Sequence, residues 1–122
     1  MDCDSYQIQA HRTAAMTMPP GSHRHMLMGV IGLCGETGEL ADMIKKHVFH
    51  GHPMDYAKLG EELGDVLWYI AETATAFGLD LSAIAKGNIK KLSNRYPSGF
   101  TSERSINRTN WNPLEVGEKG QE

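Results

Sequence analysis

The spacing of apolar residues divides the chain into periodic segments, separated by short segments rich in proline and glycine. Apolar residues that recur at positions i, i+3, i+4 and i+7 line one side of an α-helix. This pattern predicts four helices, at about residues 5–16, 25–49, 55–77 and 81–95. No stretch alternates apolar and polar residues for long enough to predict a strand. The predicted fold class is therefore all-α.

The ends of the predicted helices coincide with residues that commonly start or stop helices. Proline and glycine at positions 18–21 and 51–53 separate the first three helices. Asp55 suits the N-cap of the third helix, and Asp80 or Ser82 that of the fourth. We expect residues 1–108 to form one helical domain and residues 109–122 to form a polar, flexible tail.

Each of the three later helices carries its apolar residues on one side. Helices with one such stripe pack as a bundle, and the short connections favour antiparallel neighbours. We expect a four-helix bundle that is completed by dimerisation or tetramerisation. The stripe residues are Leu33, Leu40, Ile44 and Val48 in the second helix, Leu59, Leu63, Val66, Ile70 and Phe77 in the third, and Leu81, Ile84, Ala85 and Leu92 in the fourth.

Composition narrows the choice of partners and location. The net charge is −3, and proteins that bind the nucleic-acid backbone usually carry a basic excess, so we expect no nucleic-acid partner. No run approaches the ~18–20 apolar residues of a membrane span, so no membrane partner is expected either. The acidic start of the chain, Met1-Asp2-Cys3-Asp4, is unlike a signal peptide. These features favour a cytoplasmic protein.

The strongest chemical signal is a pair of carboxylates on each of two consecutive helices. Glu36 and Glu39 are three residues apart, as are Glu62 and Asp65, so each pair points from one side of its helix. Both pairs border the apolar stripe, so packing of the stripes brings four carboxylates together. Their mutual repulsion calls for a cation, and all-oxygen ligation favours Mg²⁺, with Mn²⁺ as a possible substitute. Taken singly, such pairs are usually solvated surface groups.

Two glycines precede the first pair on the same side of the helix. Gly32 lies one turn and Gly29 two turns before Glu36. Without side chains at these positions, we expect room for a ligand above the metal.

The segments that carry these carboxylates resemble the metal-binding helices of the MazG-like nucleoside triphosphate pyrophosphohydrolases. That family pairs ExxE with ExxD, and here a spacer of twenty-two residues, from Leu40 to Glu61, separates the two motifs. The resemblance covers about residues 5–108. The segments that carry it are Gly35-Glu36-Thr37-Gly38-Glu39-Leu40, Glu61 to Tyr69, Asn88-xx-Lys91-xxx-Arg95-Tyr96-Pro97, and Tyr6-Gln7 with Arg12-Thr13-Ala14.

The resemblance implies an activity and roles for particular residues. Family members use Mg²⁺ to cleave a nucleoside triphosphate between the α and β phosphorus atoms, which gives a monophosphate and pyrophosphate. Glu36, Glu39, Glu62 and Asp65 would be the metal-binding and catalytic residues. Asn88, Lys91 and Arg95 would contact the phosphates and the sugar. Members are dimers or tetramers, so a homodimer or homotetramer is implied.

Trp68 and the histidines are further candidates for functional residues. Trp68 is predicted on the same flank as Glu61, Asp65 and Glu72, where it would form a subunit contact or a stacking surface for the base. No HExxH motif or Cys/His spacing indicates zinc. We interpret the histidines as structural or incidental, and among them His25 and His50 are the candidates to reach the site.

Two other functions fit an acidic helical chain. A di-iron carboxylate bundle would need Glu-xx-His on two helices, and no glutamate here has histidine three residues later. A noncatalytic helical interaction module would present exposed apolar stripes or a basic recognition helix. The preferred base, the number of metal ions and the choice between dimer and tetramer stay open.

Overall fold

A computed structural model describes residues 1–15 and 17–108, and every regular element in these ranges is a helix. The prediction of an all-α chain is confirmed, although five helices form where four were predicted. The predicted tail, residues 109–122, lies outside the described residues. None of the described helices has both the length and the apolar character that a membrane span requires. The helices are α1 (Cys3–His11), α2 (His23–His50), α3 (Tyr56–Ala76), α4 (Leu81–Arg95) and α5 (Ser102–Ile106).

The chain divides into two compact units, Met1–Ala83 and a second that begins at Ile84. In the first unit, α2 packs along α3, and α1 packs against α3. The two long helices have local caps. Ser22 accepts a hydrogen bond from the backbone N–H of His25 (3.2 Å), and Asp55 accepts one from that of Lys58 (3.0 Å). α2 ends at Gly51, whose φ of 71° is the left-handed conformation that glycine adopts at low cost.

The first helix ends at His11, about five residues before the predicted end. A longer helix would need the Ala10 carbonyl to accept from residue 14. Instead it accepts from the backbone N–H of Thr13 (2.9 Å), the Thr13 hydroxyl (2.7 Å) and the indole N–H of Trp68 (3.2 Å). The turn is therefore stabilised both by Thr13 and by a side chain of α3, and local sequence could not reveal the second contact.

The start of α4 is capped by α1 and not by Asp80 or Ser82 as predicted. The backbone N–H of Leu81 donates to Gln7 Oε1 (2.8 Å), and that of Ser82 donates to Asp4 Oδ1 (3.1 Å). Gln7 also donates to the carbonyl of Leu79 (2.8 Å). α1 thus satisfies polar backbone groups of the α3–α4 turn.

Gly29 and Gly32 do not leave room for a ligand, so that prediction was wrong. A Cβ at Gly29 would lie 2.6 Å from Thr73 Oγ1, and one at Gly32 would overlap the ring of Tyr69. The space beside both glycines is filled by α3. Their absent side chains let the two helices approach closely, in an antiparallel register that continues into the carboxylate pairs.

The core of the first unit is small and rich in alanine, whereas most of the predicted stripe remains accessible in the single chain. Of the predicted stripe residues, Leu81 is buried, but Leu63 is 50% and Val48 is 61% exposed. A layer of two long helices with one short helix cannot cover both sides of α2 and α3. The buried apolar residues of the described ranges are Ala10, Ala71, Ala74, Ala76 and Leu81.

The second unit contains most of α4, a bend and the short helix α5. Thr101 caps α5 by accepting from the backbone N–H of Arg104 (3.2 Å). The Arg104 guanidinium donates to the carbonyl of Arg95 (3.3 Å), and the rings of Tyr96 and Phe100 are 5.3 Å apart. The sequence analysis missed α5 because five residues are too few to show helical periodicity.

Candidate metal centre

Three of the four predicted ligands converge where α2 packs on α3. One carboxylate oxygen each from Glu36, Glu62 and Asp65 lies within 4.8 Å of the other two. Glu62 is buried, Glu36 is half-buried and Asp65 is exposed. The register of the helices explains this, because Gly29 faces Thr73 and the next turns of α2 and α3 carry the acids. The group therefore opens to solvent on the Asp65 side.

Electrostatic repulsion within this group is visible at Glu36. Partial burial raises the pKa of Glu36, and the charges of Glu39, Asp65 and Glu62 raise it further. A carboxyl group in this setting ionises less readily than in water, unless a cation balances its neighbours. Three carboxylate oxygens so close together match the ligand preference of a hard divalent cation such as Mg²⁺. The residues present therefore fit such an ion.

Glu39 lies outside the group of three and is exposed. It lines a neighbouring cleft of about 610 Å³. Its charge nevertheless reaches the centre, since it is the first of the carboxylates that raise the pKa of Glu36. Its predicted role as a fourth ligand stays a prediction. The cleft is lined by Gly35, Gly38, Glu39, Asp42, Met43, Lys46, Lys58 and Glu62.

Two lysines line this cleft, and each contacts a carboxylate. Lys58 Nζ lies 2.8 Å from Glu62 Oε1, and Lys46 Nζ lies 2.6 Å from Asp42 Oδ2. The hydrogen bond with Glu62, and then its charge, raise the pKa of Lys58. Lys58 is therefore an ammonium group near neutral pH, and it offsets part of the negative charge of the centre.

The predicted substrate residues on α4 belong to the second unit. Asn88, Lys91 and Arg95 lie on successive turns along one side of the helix, and Arg95 also lines a cavity of about 420 Å³ with α5 residues such as Arg104. Asn88 is exposed, whereas Lys91 and Arg95 are half-buried. Their contact with substrate stays a prediction.

Trp68 is packed within the protomer and is not on an open flank. Its indole N–H donates to Thr13 Oγ1 (2.7 Å), and its ring meets that of Tyr69 edge-on at 4.8 Å. With Tyr6 it packs against the buried Ala10 cluster. Its polar edge is therefore used to hold α1, and its predicted contact with substrate stays a prediction.

Glu72, predicted on the same charged flank, is fully buried. His25 Nε2 lies 2.5 Å from Glu72 Oε1, and His11 Nδ1 lies 3.1 Å from both carboxylate oxygens. His25 thus contacts Glu72 and not the predicted carboxylate site, while His50 is exposed. One sequence feature could have indicated that Glu72 is buried: it is the lone carboxylate in the otherwise uncharged segment from Val66 to Leu79.

The hydrogen bonds of His25 identify this second cluster as structural. The backbone N–H of Gly21 donates to His25 Nδ1 (3.0 Å), so Nδ1 is unprotonated and Nε2 carries the proton. Nε2 therefore donates to Glu72. A histidine that binds metal through Nε2 would need the opposite tautomer, with Nδ1–H facing an acceptor. The cluster of His11, His25 and Glu72 does not fit a metal.

Comparison with known proteins identifies the domain that contains the carboxylate centre. Residues 24–100 match the MazG nucleotide pyrophosphohydrolase domain. The chain belongs to this family. The match to the MazG domain includes all four predicted metal ligands and the three α4 residues, and it confirms the resemblance stated from the sequence. The family match begins after α1, so His11 and the turn that follows α1 lie outside the matched residues.

One relative of this MazG-family chain is the Gene 37 protein of Mycobacterium phage L5. The two are 33% identical over 116 residues, which cover 88% of this chain and 100% of the relative. The relative's name states no activity. No solved structure matches the chain.

Proposed function

We propose that the chain hydrolyses a nucleoside or deoxynucleoside triphosphate between the α and β phosphorus atoms, with Mg²⁺ as cofactor. The products are a nucleoside monophosphate and pyrophosphate, as in nucleotide-pool control or house-cleaning. The observation that supports this most directly is the convergence of Glu36, Glu62 and Asp65 within 4.8 Å, inside a MazG domain.

In this proposal the carboxylates bind the cation, and other residues bind the substrate. Glu36, Glu62 and Asp65 are ligands, and Glu39 completes the set from the cleft. When bound, Mg²⁺ supplies positive charge for the phosphate oxygens and lowers the pKa of a water molecule. The carboxylates alone would repel a triphosphate, so cation binding and substrate binding depend on each other. Asn88, Lys91 and Arg95 contact the sugar and phosphates.

The two alternatives fit the described residues less well. The carboxylate centre contains no histidine, which disfavours a di-iron bundle. The exposed apolar residues of α2 and α3 are compatible with a noncatalytic interaction module, but such a module needs no cluster of repelling carboxylates. A measurement of hydrolytic activity distinguishes the proposed enzyme from a noncatalytic interaction module.

Purified protein incubated with Mg²⁺ is expected to convert a triphosphate into its monophosphate and pyrophosphate. A panel of ribonucleotides and deoxyribonucleotides, with phosphate detected after added pyrophosphatase, identifies the substrate. EDTA should stop the reaction, and excess Mg²⁺ should restore it. Orthophosphate and a diphosphate without added pyrophosphatase would place cleavage at the γ phosphorus and contradict the proposal.

We also propose that the protein is a homodimer or homotetramer, with the exposed apolar stripes as the interface. Leu63, Leu67 and Ile70 are 50, 43 and 37% exposed and lie on one side of α3. Burial of such residues stabilises association by about 25 cal/mol per Å². Light scattering at micromolar concentration should return a multiple of the 13.5 kDa chain mass. A monomer mass would exclude this interface.

A further inference from the structure

Lys58 contacts the most buried carboxylate of the metal centre. It lies in the first turn of α3, four residues before Glu62, and its Nζ lies 2.8 Å from Glu62 Oε1. The Glu62 side chain is 5% exposed, whereas the Lys58 side chain is 52% exposed. Lys58 also lies 3.5 Å from the exposed Glu61. The strong contact of Lys58 is therefore with a metal ligand, and its stem remains free to move in solvent.

We infer that Lys58 has two partners in turn: Glu62 while the centre lacks a divalent cation, and an oxygen of the triphosphate once the cation is bound. This inference rests on the function proposed above and adds a substrate-binding residue to it. Lys58 would thus link the two binding events through one side chain.

Repulsion between like charges provides the reason for the exchange of partners. A cation bound by Glu62, Glu36 and Asp65 would lie close to the Lys58 ammonium group. Like charges at such distances repel strongly where water is partly excluded. A cation bound to Glu62 would also offset the negative charge that holds the Lys58 ammonium group in place. Lys58 then loses its partner, and its long flexible stem lets the ammonium group turn into solvent.

The cleft beside the centre is where the released ammonium group would point. Lys58 and Glu62 both line it, together with Gly35 and Gly38 of α2. A Cβ at either glycine would meet nothing within 4 Å, so the space is open. The other lysine of the cleft, Lys46, keeps its 2.6 Å contact with Asp42. Lys58 is therefore the lysine that cation binding makes available to phosphate oxygens.

Removal of the Lys58 charge should change two affinities in opposite directions. Without a competing ammonium group, Lys58→Met should bind Mn²⁺ about 3- to 10-fold more tightly in the absence of nucleotide. Without a phosphate contact, the same variant should have a KM for the triphosphate roughly 10-fold higher, because charge-assisted hydrogen bonds are strong. kcat should change less than KM. A surface ion pair without function would change neither quantity.

The experiment uses the full chain, calorimetric Mn²⁺ titration without nucleotide, and steady-state kinetics with the best triphosphate of the panel. Lys45→Met is the matched control. Lys45 is also 52% exposed and forms an ion pair with Asp42 at 2.6 Å, but it does not line the cleft. Lys58→Arg keeps the charge and should restore both values toward those of the parent. Circular dichroism melts confirm that each variant is folded.

Tighter Mn²⁺ binding together with a higher KM, seen in Lys58→Met and not in Lys45→Met, supports the inference. Unchanged or weaker Mn²⁺ binding, or an unchanged KM, overturns it while the proposed function stands. If Lys58→Met does not fold, Lys58→Gln takes its place: tighter Mn²⁺ binding together with a higher KM supports the inference, and parental values of either quantity overturn it. A parent protein that neither binds Mn²⁺ nor hydrolyses any triphosphate overturns the inference and the proposed function together.

Discussion

Asp65→Asn is expected to lower the rate of triphosphate hydrolysis by well over ~10–100-fold, which is the typical cost of losing a residue that only orients a metal ligand. The melting temperature of the metal-free protein should stay the same or rise slightly. Asp65 provides one of the three oxygens that lie within 4.8 Å of one another, and its charge raises the pKa of Glu36. Asparagine has nearly the same volume but cannot carry that charge. The change removes both a proposed ligand and a source of repulsion.

The sign of the stability effect follows from the raised pKa of Glu36. A carboxyl group whose pKa is higher in the folded chain than in the unfolded chain destabilises the folded state when ionised. This cost is present above the raised pKa and is relieved as the pH falls toward the usual glutamate range. Removal of a neighbouring negative charge lowers the cost at neutral pH, so apo stability should not decrease.

Glu39→Gln tests the fourth ligand, which lies outside the group of three. It too is expected to lose activity without a loss of apo stability. Glu61→Gln is the control, since Glu61 is an exposed neighbour of Glu62 and should retain activity. The measurements are apo melting curves and rates at saturating Mg²⁺. If Asp65→Asn and Glu39→Gln both melt several degrees early yet hydrolyse triphosphate at near the parental rate, the carboxylates have a structural role only.

Glu72→Ala is expected to show the opposite pattern, with a large loss of stability. Glu72 is fully buried, accepts from His25 Nε2 at 2.5 Å and lies 3.1 Å from His11 Nδ1. Its removal leaves a buried N–H without an acceptor and creates a cavity. Together these cost about 3 kcal/mol, which corresponds to a fall in Tm of roughly 10 °C for a domain of this size.

Two substitutions at Glu72 distinguish the contribution of its hydrogen bond with His25 from that of its volume. Glu72→Gln keeps an oxygen that can accept from His25, so it should be destabilised less than Glu72→Ala. Glu103→Ala, at an exposed position of α5, should change the free energy of unfolding by less than about 0.5 kcal/mol. Urea denaturation gives the values. A Glu72→Ala protein as stable as Glu103→Ala would show that the histidine pair does not depend on this carboxylate.

The parts of the structure that sequence predicted are those encoded by neighbouring residues. α2, α3 and α4 begin and end within two residues of their predicted limits, because periodicity, the N-cap Asp55 and the break at Gly51 are local signals. The pairing of Glu36 with Glu62 and Asp65 followed from the same periodicity, since two stripes that pack must bring their borders together.

The parts that sequence did not predict depend on residues far apart in the chain. The end of α1 is stabilised by Trp68, the start of α4 by Gln7, and the burial of Glu72 by His11 and His25. None of these contacts has a periodic signature. The accessible stripes have a related cause, because periodicity shows which side of a helix is apolar but not whether the same chain covers it.

The glycines at the α2–α3 contact would affect which ion the proposed metal centre prefers. Distances between packed helix axes range from about 8 to 10 Å, depending on the side chains at the contact. Thr73 and Tyr69 occupy the space that a Cβ at Gly29 or Gly32 would take, so these glycines allow a closer approach than larger residues would, beside the turns that carry Glu36 and Asp65. Mg²⁺ binds oxygen at about 2.0–2.1 Å and Ca²⁺ at about 2.3–2.6 Å, a smaller difference than the spread in helix separation. If the centre binds a divalent cation as proposed, its size selectivity would therefore depend on two glycines that do not contact the ion.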